Sequence, residues 1–115
     1  MAIAISLLSN NVDSSASNFV YAIATLTITG NYPSGGDTLD FTTVADKLPS
    51  TTVVQAFAES QAGNGGYYVA SAGTSLNNWK LRSYLAGGTE VTVGAYPGSV
   101  TGDVVQLTIT ARKLL

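Results

Sequence analysis

Apolar and polar residues alternate with a period of two along most of the chain. Val20, Ala22, Ala24, Leu26 and Ile28 fall on one side of an extended segment, and Tyr21, Ile23, Thr25, Thr27 and Thr29 on the other. The C-terminal stretch repeats the pattern: Val105, Leu107, Ile109 and Ala111 oppose Gln106, Thr108, Thr110 and Arg112. Ile3, Ile5 and Leu7 open the chain in the same manner. Successive side chains of a strand point to opposite faces, so this spacing predicts half-buried β-strands. Within 51–58, alternation puts Val53 and Phe57 on one face, opposite Val54, Ala56 and Ala58. Shorter strands are predicted at 37–41, 67–71, 78–84 and 90–95, for about eight in all. Trp79, Leu26, Ile28, Val53, Val91, Val93, Leu107 and Ile109 are the expected core.

Turn residues separate these segments. Asn31-Tyr32-Pro33-Ser34-Gly35-Gly36 combines fixed and positive φ, Gly63-Asn64-Gly65-Gly66 divides two strands, and Gly87-Gly88 predicts a tight hairpin before Glu90. One short helix is expected around 43–48, ended by Pro49. Short strands at this spacing predict an all-β fold, a single-domain β-sandwich or closely related small barrel over residues 1–115.

Composition narrows what such a body does. Among 115 residues only 10% are charged, with 5 basic and 7 acidic, while Ser and Thr supply 26. So few cations disfavour a nucleic-acid groove, which neutralises phosphates with many Lys and Arg. There is no Cys and no His. Disulfides, thiolate ligands, His-ligated zinc and His-based acid–base catalysis are thereby excluded. The apolar run of the N-terminus stops at Leu8, short of a signal segment, and no stretch is long enough for a membrane-spanning helix. No partner membrane and no cofactor are expected.

The carboxylates Asp13, Asp37, Asp40, Asp46, Glu59, Glu90 and Asp103 form no pair at a spacing that suggests a glycosidase. Asp37 and Asp40, three apart, tend to opposite faces of a strand. Gly35-Gly36-Asp37-Thr38 offers oxygens for a structural cation, without EF-hand spacing. Serines lack a histidine to activate them, and a Ser–Lys dyad would need Lys47, Lys80 or Lys113 buried beside one. No catalytic residue is expected.

The aromatics carry more information. Tyr32, Tyr67, Tyr68, Tyr84 and Tyr96 lie beside glycine-rich turns or strand ends, where tyrosine serves an interface, packs the periphery or stacks on sugar. Trp79 alternates with Leu81 and is read as a core anchor, which turns Lys80 and Arg82 outward. The candidate interface residues are Asn11, Val12, Asp13, Tyr32, Asp37, Tyr67, Tyr68, Arg82 and Tyr96.

The run Thr27-Ile28-Thr29-Gly30-Asn31-Tyr32-Pro33-Ser34-Gly35-Gly36-Asp37-Thr38-Leu39-Asp40-Phe41 resembles a pattern of small structural proteins of tailed bacteriophages. So, in order, do Tyr67-Tyr68-Val69, Asn78-Trp79-Lys80-Leu81, Gly88-Thr89-Glu90-Val91 with Tyr96-Pro97, and Val105 through Arg112. The resemblance spans about residues 19–113. It implies a β-rich head decoration, or cement, protein: a non-enzymatic virion component on the outer capsid surface, a homo-oligomer with a trimer favoured, partnered by the major capsid protein. The Asn10–Asn18 stretch is the arm-like element for docking, with the Asn31–Asp37 loop as the other contact. Two other readings fit the residues: a phage tail or self-assembling shell subunit, and a glycan-binding β-sandwich module.

Overall fold

A computed structural model of the chain describes residues 3–45, 47–48 and 50–113. Among the described residues nine strands appear: β1 (Ile3–Asp13), β2 (Phe19–Ile28), β3 (Asn31–Tyr32), β4 (Asp37–Leu39), β5 (Ser50–Ser60), β6 (Tyr67–Ser71), β7 (Trp79–Tyr84), β8 (Gly94–Ala95) and β9 (Val105–Lys113). They form three antiparallel sheets, ordered β1-β2-β9-β5, β4-β7-β6 and β3-β8. The last strand is therefore inserted beside β2, in the middle of the largest sheet. β5 runs alongside β6, but no ladder joins them, and β1 approaches β4 in the same way. The protein is thus mostly β, built from several open sheets, none closed into a barrel.

The alternation read from the sequence decides which faces turn inward. Val20 through Ile28 on β2 and Val105 through Ala111 on β9 bury every second residue. Register locks the two together: Ala22 faces Ile109, Ala24 faces Leu107 and Leu26 faces Val105. A shift of one residue would expose the whole apolar set, so the register is strongly specified. From the β4-β7-β6 sheet, Leu39, Trp79, Leu81 and Tyr68 join the same core cluster. Trp79 meets Phe41 edge-on, with ring centroids 5.5 Å apart, a favoured aromatic geometry.

Four local expectations change. The helix expected around 43–48 is a 3-10 turn at Phe41–Val44, because the Asp40 carboxylate caps it by accepting the Thr42 amide at 2.9 Å. Pro49 lies outside the described residues. A second helical turn, Gly98–Thr101, forms where no helix was expected; the Pro97 carbonyl accepts the Val100 and Thr101 amides. The strand expected at 90–95 reduces to a single bridge between Tyr84 and Glu90 plus the two residues of β8. Val93, expected in the core, is 63% exposed there.

The fourth change is on β5. Its register slips between Val53, which faces Ala111, and Gln55, which faces Thr110. The extra residue of this bulge lets Val53 and Ala56 both turn inward at a spacing of three. Phe57, expected on the face of Val53, is carried to the opposite, solvent-facing side. The Gly87-Gly88 hairpin forms as expected: Gly88 has φ +88° and the Leu85 amide donates to the Thr89 carbonyl at 2.8 Å.

Candidate functional site

At one end of the body, residues of β3, β4 and β6 are tied to the stretch between β7 and β9 by three tyrosine–carboxylate pairs. The Tyr96 hydroxyl donates to Asp37 Oδ2 at 2.7 Å, and the Tyr68 hydroxyl to Asp103 Oδ2 at 2.7 Å. The Tyr32 hydroxyl donates to Glu90 Oε2. The Tyr32 and Tyr96 rings pack edge-to-face at 5.6 Å. Each pair joins segments distant in the chain, 58, 59 and 35 positions apart for Tyr32, Tyr96 and Tyr68. A hydrogen bond to an ionised acceptor is about twice as strong as a neutral one.

The electrostatics follow from this geometry. Burial, then the hydrogen bond to Glu90, pushes the Tyr32 hydroxyl up to about 12. Burial, then the carboxylate beside each, raises Tyr68 and Tyr96 further still. Burial works to raise the Asp103 carboxyl, but the hydrogen bonds it accepts, those from the Tyr68 hydroxyl and the Ala62 amide among them, together outweigh it, and the group lies below the usual carboxylate range. Charge on the phenol would sit beside charge on the carboxylate, so these pairs hold the phenol protonated.

This end takes four of the nine candidate interface residues out of the surface. Tyr32, Asp37, Tyr68 and Tyr96 are buried, because the apolar ring of each tyrosine fills the core end while its hydroxyl satisfies a carboxylate. Asp37 also accepts its neighbour's amide, from Thr38 at 2.9 Å. Of the oxygens considered for a cation, both of the Asp37 carboxylate and the Thr38 hydroxyl are thus engaged within the chain. Among the described residues, no three His, Cys, Asp or Glu side chains gather as a metal site; Asp46 lies outside the described residues.

The other five candidates stay at or near the surface in two separate places. Asn11, Val12 and Asp13 end β1 beyond its bulge; Asn11 and Asp13 are exposed and Val12 is half-buried against the core. The Ser15 hydroxyl donates to Asp13 Oδ1 at 2.7 Å and its amide at 2.9 Å, which holds that carboxyl below its usual range. Tyr67 and Arg82 lie on the outer face of the β4-β7-β6 sheet. Tyr67 stacks on Tyr84 with centroids 4.8 Å apart, and Arg82 faces Val69 in register. Lys80 on the same face reaches the Thr38 hydroxyl at 3.0 Å. Beside Tyr84 a cavity of about 280 Å³ opens, lined by Asn64, Tyr68, Leu85 and Val100 among others. Asn64 is fixed there, its Nδ2 donating to the Ser99 carbonyl at 2.7 Å.

Sequence reasoning missed a different surface. Leu8, Tyr21, Ile23 and Phe57 are exposed on the outer side of the β1-β2-β9-β5 sheet. For Tyr21 and Ile23 the signal was present, since a strand whose polar side carries Tyr and Ile has two apolar faces. Phe57 was hidden by the bulge. No family model, curated protein or solved structure matches the chain.

Proposed function

We propose that the protein is a non-enzymatic structural component of a tailed bacteriophage, which docks on the outside of the capsid and stabilises it. The observation that carries this reading is a latched β body with a charge-poor, apolar exterior. The exposed large side chains include Leu8, Ile23, Phe57, Tyr67 and Val69, and interface centres are depleted in charge and enriched in aromatics. The ordered resemblance over about residues 19–113 supplies the phage context. We read the chain as one unit in which the β1-β2-β9-β5 and β4-β7-β6 sheets are the halves of a small sandwich, unzipped along the β5/β6 and β1/β4 seams.

A cement protein acts by binding the assembled lattice better than the free subunit. Selective binding shifts the equilibrium toward the bound state by mass action, and a body whose loops are tied by tyrosine–carboxylate bonds loses little conformational freedom on docking. The Asn11–Asp13 end of β1 and the Tyr67–Arg82 face are the contacts proposed for the major capsid protein.

The test compares binding to mature heads lacking the protein, to unexpanded proheads and to free capsid subunits. Preferential binding to mature heads, with a gain in their resistance to heat, is the expected result. Equal binding to all three rejects lattice sensing, and recovery of the protein in tails transfers the reading to a tail subunit. A second reading rests on the Tyr67–Tyr84 stack beside the cavity of about 280 Å³, a shape that suits one sugar ring. Retention of a monosaccharide at millimolar concentration, lost in Tyr84→Ala, would favour it.

A further inference from the structure

The outer face of the β1-β2-β9-β5 sheet is covered by no described element, and its residues are arranged in rows by the ladders. One row runs Ile23, Thr108, Phe57, and its neighbours run Tyr21, Thr110, Gln55 and Thr25, Gln106, Glu59. The row at the far end runs Phe19, Arg112, Thr52. Ile23 is 44% exposed, Tyr21 45% and Phe57 63%; Leu8, at the start of the β1 bulge, is 59% exposed. The middle of the face therefore holds apolar side chains and neutral Thr and Gln. Its ionised groups stand at its margins: Arg112 at one end, Glu59 at the other and Asp13 at the β1 border. Arg112 lies over the Phe19 ring, 5.9 Å from its centroid.

We propose that this face is a two-fold docking surface for a second copy of the same chain. Arg112 and Glu59 select the arrangement. Arg112 and Glu59 are three rows apart, about 20 Å along the strands at two residues per row. A two-fold axis in the interface and across the strands lays the Arg112 end of one copy over the Glu59 end of the other, with the Ile23–Thr108–Phe57 rows near the centre. An axis along the strands would set Arg112 against Arg112. Sheets pack face to face about 10 Å apart and within about 30° of alignment, so the matched ends stay in register. Area is sufficient: four strands at about 4.8 Å and four rows at about 6.8 Å give a flat footprint near 500 Å² per copy. Two copies thus reach the roughly 1,000 Å² that a specific interface should clear. The arrangement differs from the trimer implied by the phage resemblance.

Sedimentation equilibrium of the full chain, from low to high micromolar, tests the proposal. A mass of twice 11.8 kDa is expected for the wild type. Phe57→Glu and Thr108→Arg, both at exposed central positions, should each weaken association at least about 30-fold, with the far-UV circular dichroism of the folded protein retained. Glu59→Arg should weaken it less, and the exchange Glu59→Arg with Arg112→Glu should restore it. Val93→Glu, exposed but off this face, should leave the dimer intact. A single-chain or three-chain wild type overturns the proposal, as does association indifferent to Phe57→Glu and Thr108→Arg. If the wild type is a single chain and Phe57→Glu abolishes head binding, the face belongs to the capsid lattice: the dimer fails and the capsid reading stands. A dimer that ignores all heads has the opposite meaning.

Discussion

Tyr96 and Asp37 illustrate how much one hydroxyl does at the loop end of the body. Asp37 is buried, and Tyr96 is the side-chain donor to its Oδ2 at 2.7 Å. Tyr96→Phe keeps the ring and removes the donor, leaving a buried carboxylate oxygen unsatisfied, which costs about 1–3 kcal/mol. Tyr68→Phe should cost less, because Asp103 is half-buried and retains the Ala62 amide. Urea unfolding of the two variants checks the order. The same phenols set an alkaline limit. In the unfolded chain tyrosine ionises near its ordinary 10.0, whereas folded Tyr32 is held up to about 12 and Tyr68 and Tyr96 higher. The folded state thus binds these protons more tightly, so the stabilisation is complete below pH 10 and is lost as pH rises through about 12 and beyond. The melting temperature should fall across that window, and fall less in Tyr32→Phe. Ser83 presents the opposite situation: its hydroxyl is fully buried with no partner. Ser83→Ala is expected to be neutral or to stabilise by about 1 kcal/mol, read by the same unfolding curves.

Strands differ in how openly their residues declare a face. On β9 the core side is wholly apolar and its neighbours are polar or charged, so Leu107 was readable as core from the sequence; Leu107→Ala should cost about 2–5 kcal/mol. Val93 has the same chemistry and sits in a stretch of similar alternation, yet the chain there forms only the two-residue β8. Val93→Ala should change stability by less than about 0.5 kcal/mol, and chemical denaturation of the pair separates the two environments. β5 marks the limit of period-two reasoning. Its composition suits a regular strand, and nothing in Thr52-Val53-Val54-Gln55 announces an extra residue; the bulge is set by the partner strand, in the slip from Ala111 to Thr110. The turns were legible because glycine and proline act locally. The tyrosine–carboxylate pairs were not, because partners up to 59 positions apart are brought together by topology, and a tyrosine beside a turn reads equally as surface or core. Four candidate contacts were therefore spent inside the body, and the apolar row through Phe57 went unseen.

The molecule as a whole depends on its last strand. β9 is hydrogen-bonded on both sides, to β2 along Phe19–Leu26 and to β5 along Ser50–Ser60. The large sheet cannot be completed until residues 105–113 are in place, so its ladders are non-local and its assembly is expected to be cooperative. Protection against hydrogen exchange should follow this hierarchy. Amides of β9, with those of β2 facing it, lie at the centre of the core and should exchange only through global unfolding. The β3-β8 pair is two residues long and can open without disturbing the large sheet, although Tyr32 and Tyr96 tie down its surroundings. Its amides should therefore exchange faster than those of β9 at neutral pH. The gap should widen as the phenols ionise at alkaline pH, once the intrinsic acceleration of exchange is divided out. Equal protection of β8 and β9 across that range would mean that the loop end and the large sheet unfold as one unit, with the tyrosine–carboxylate pairs too weak to be felt separately.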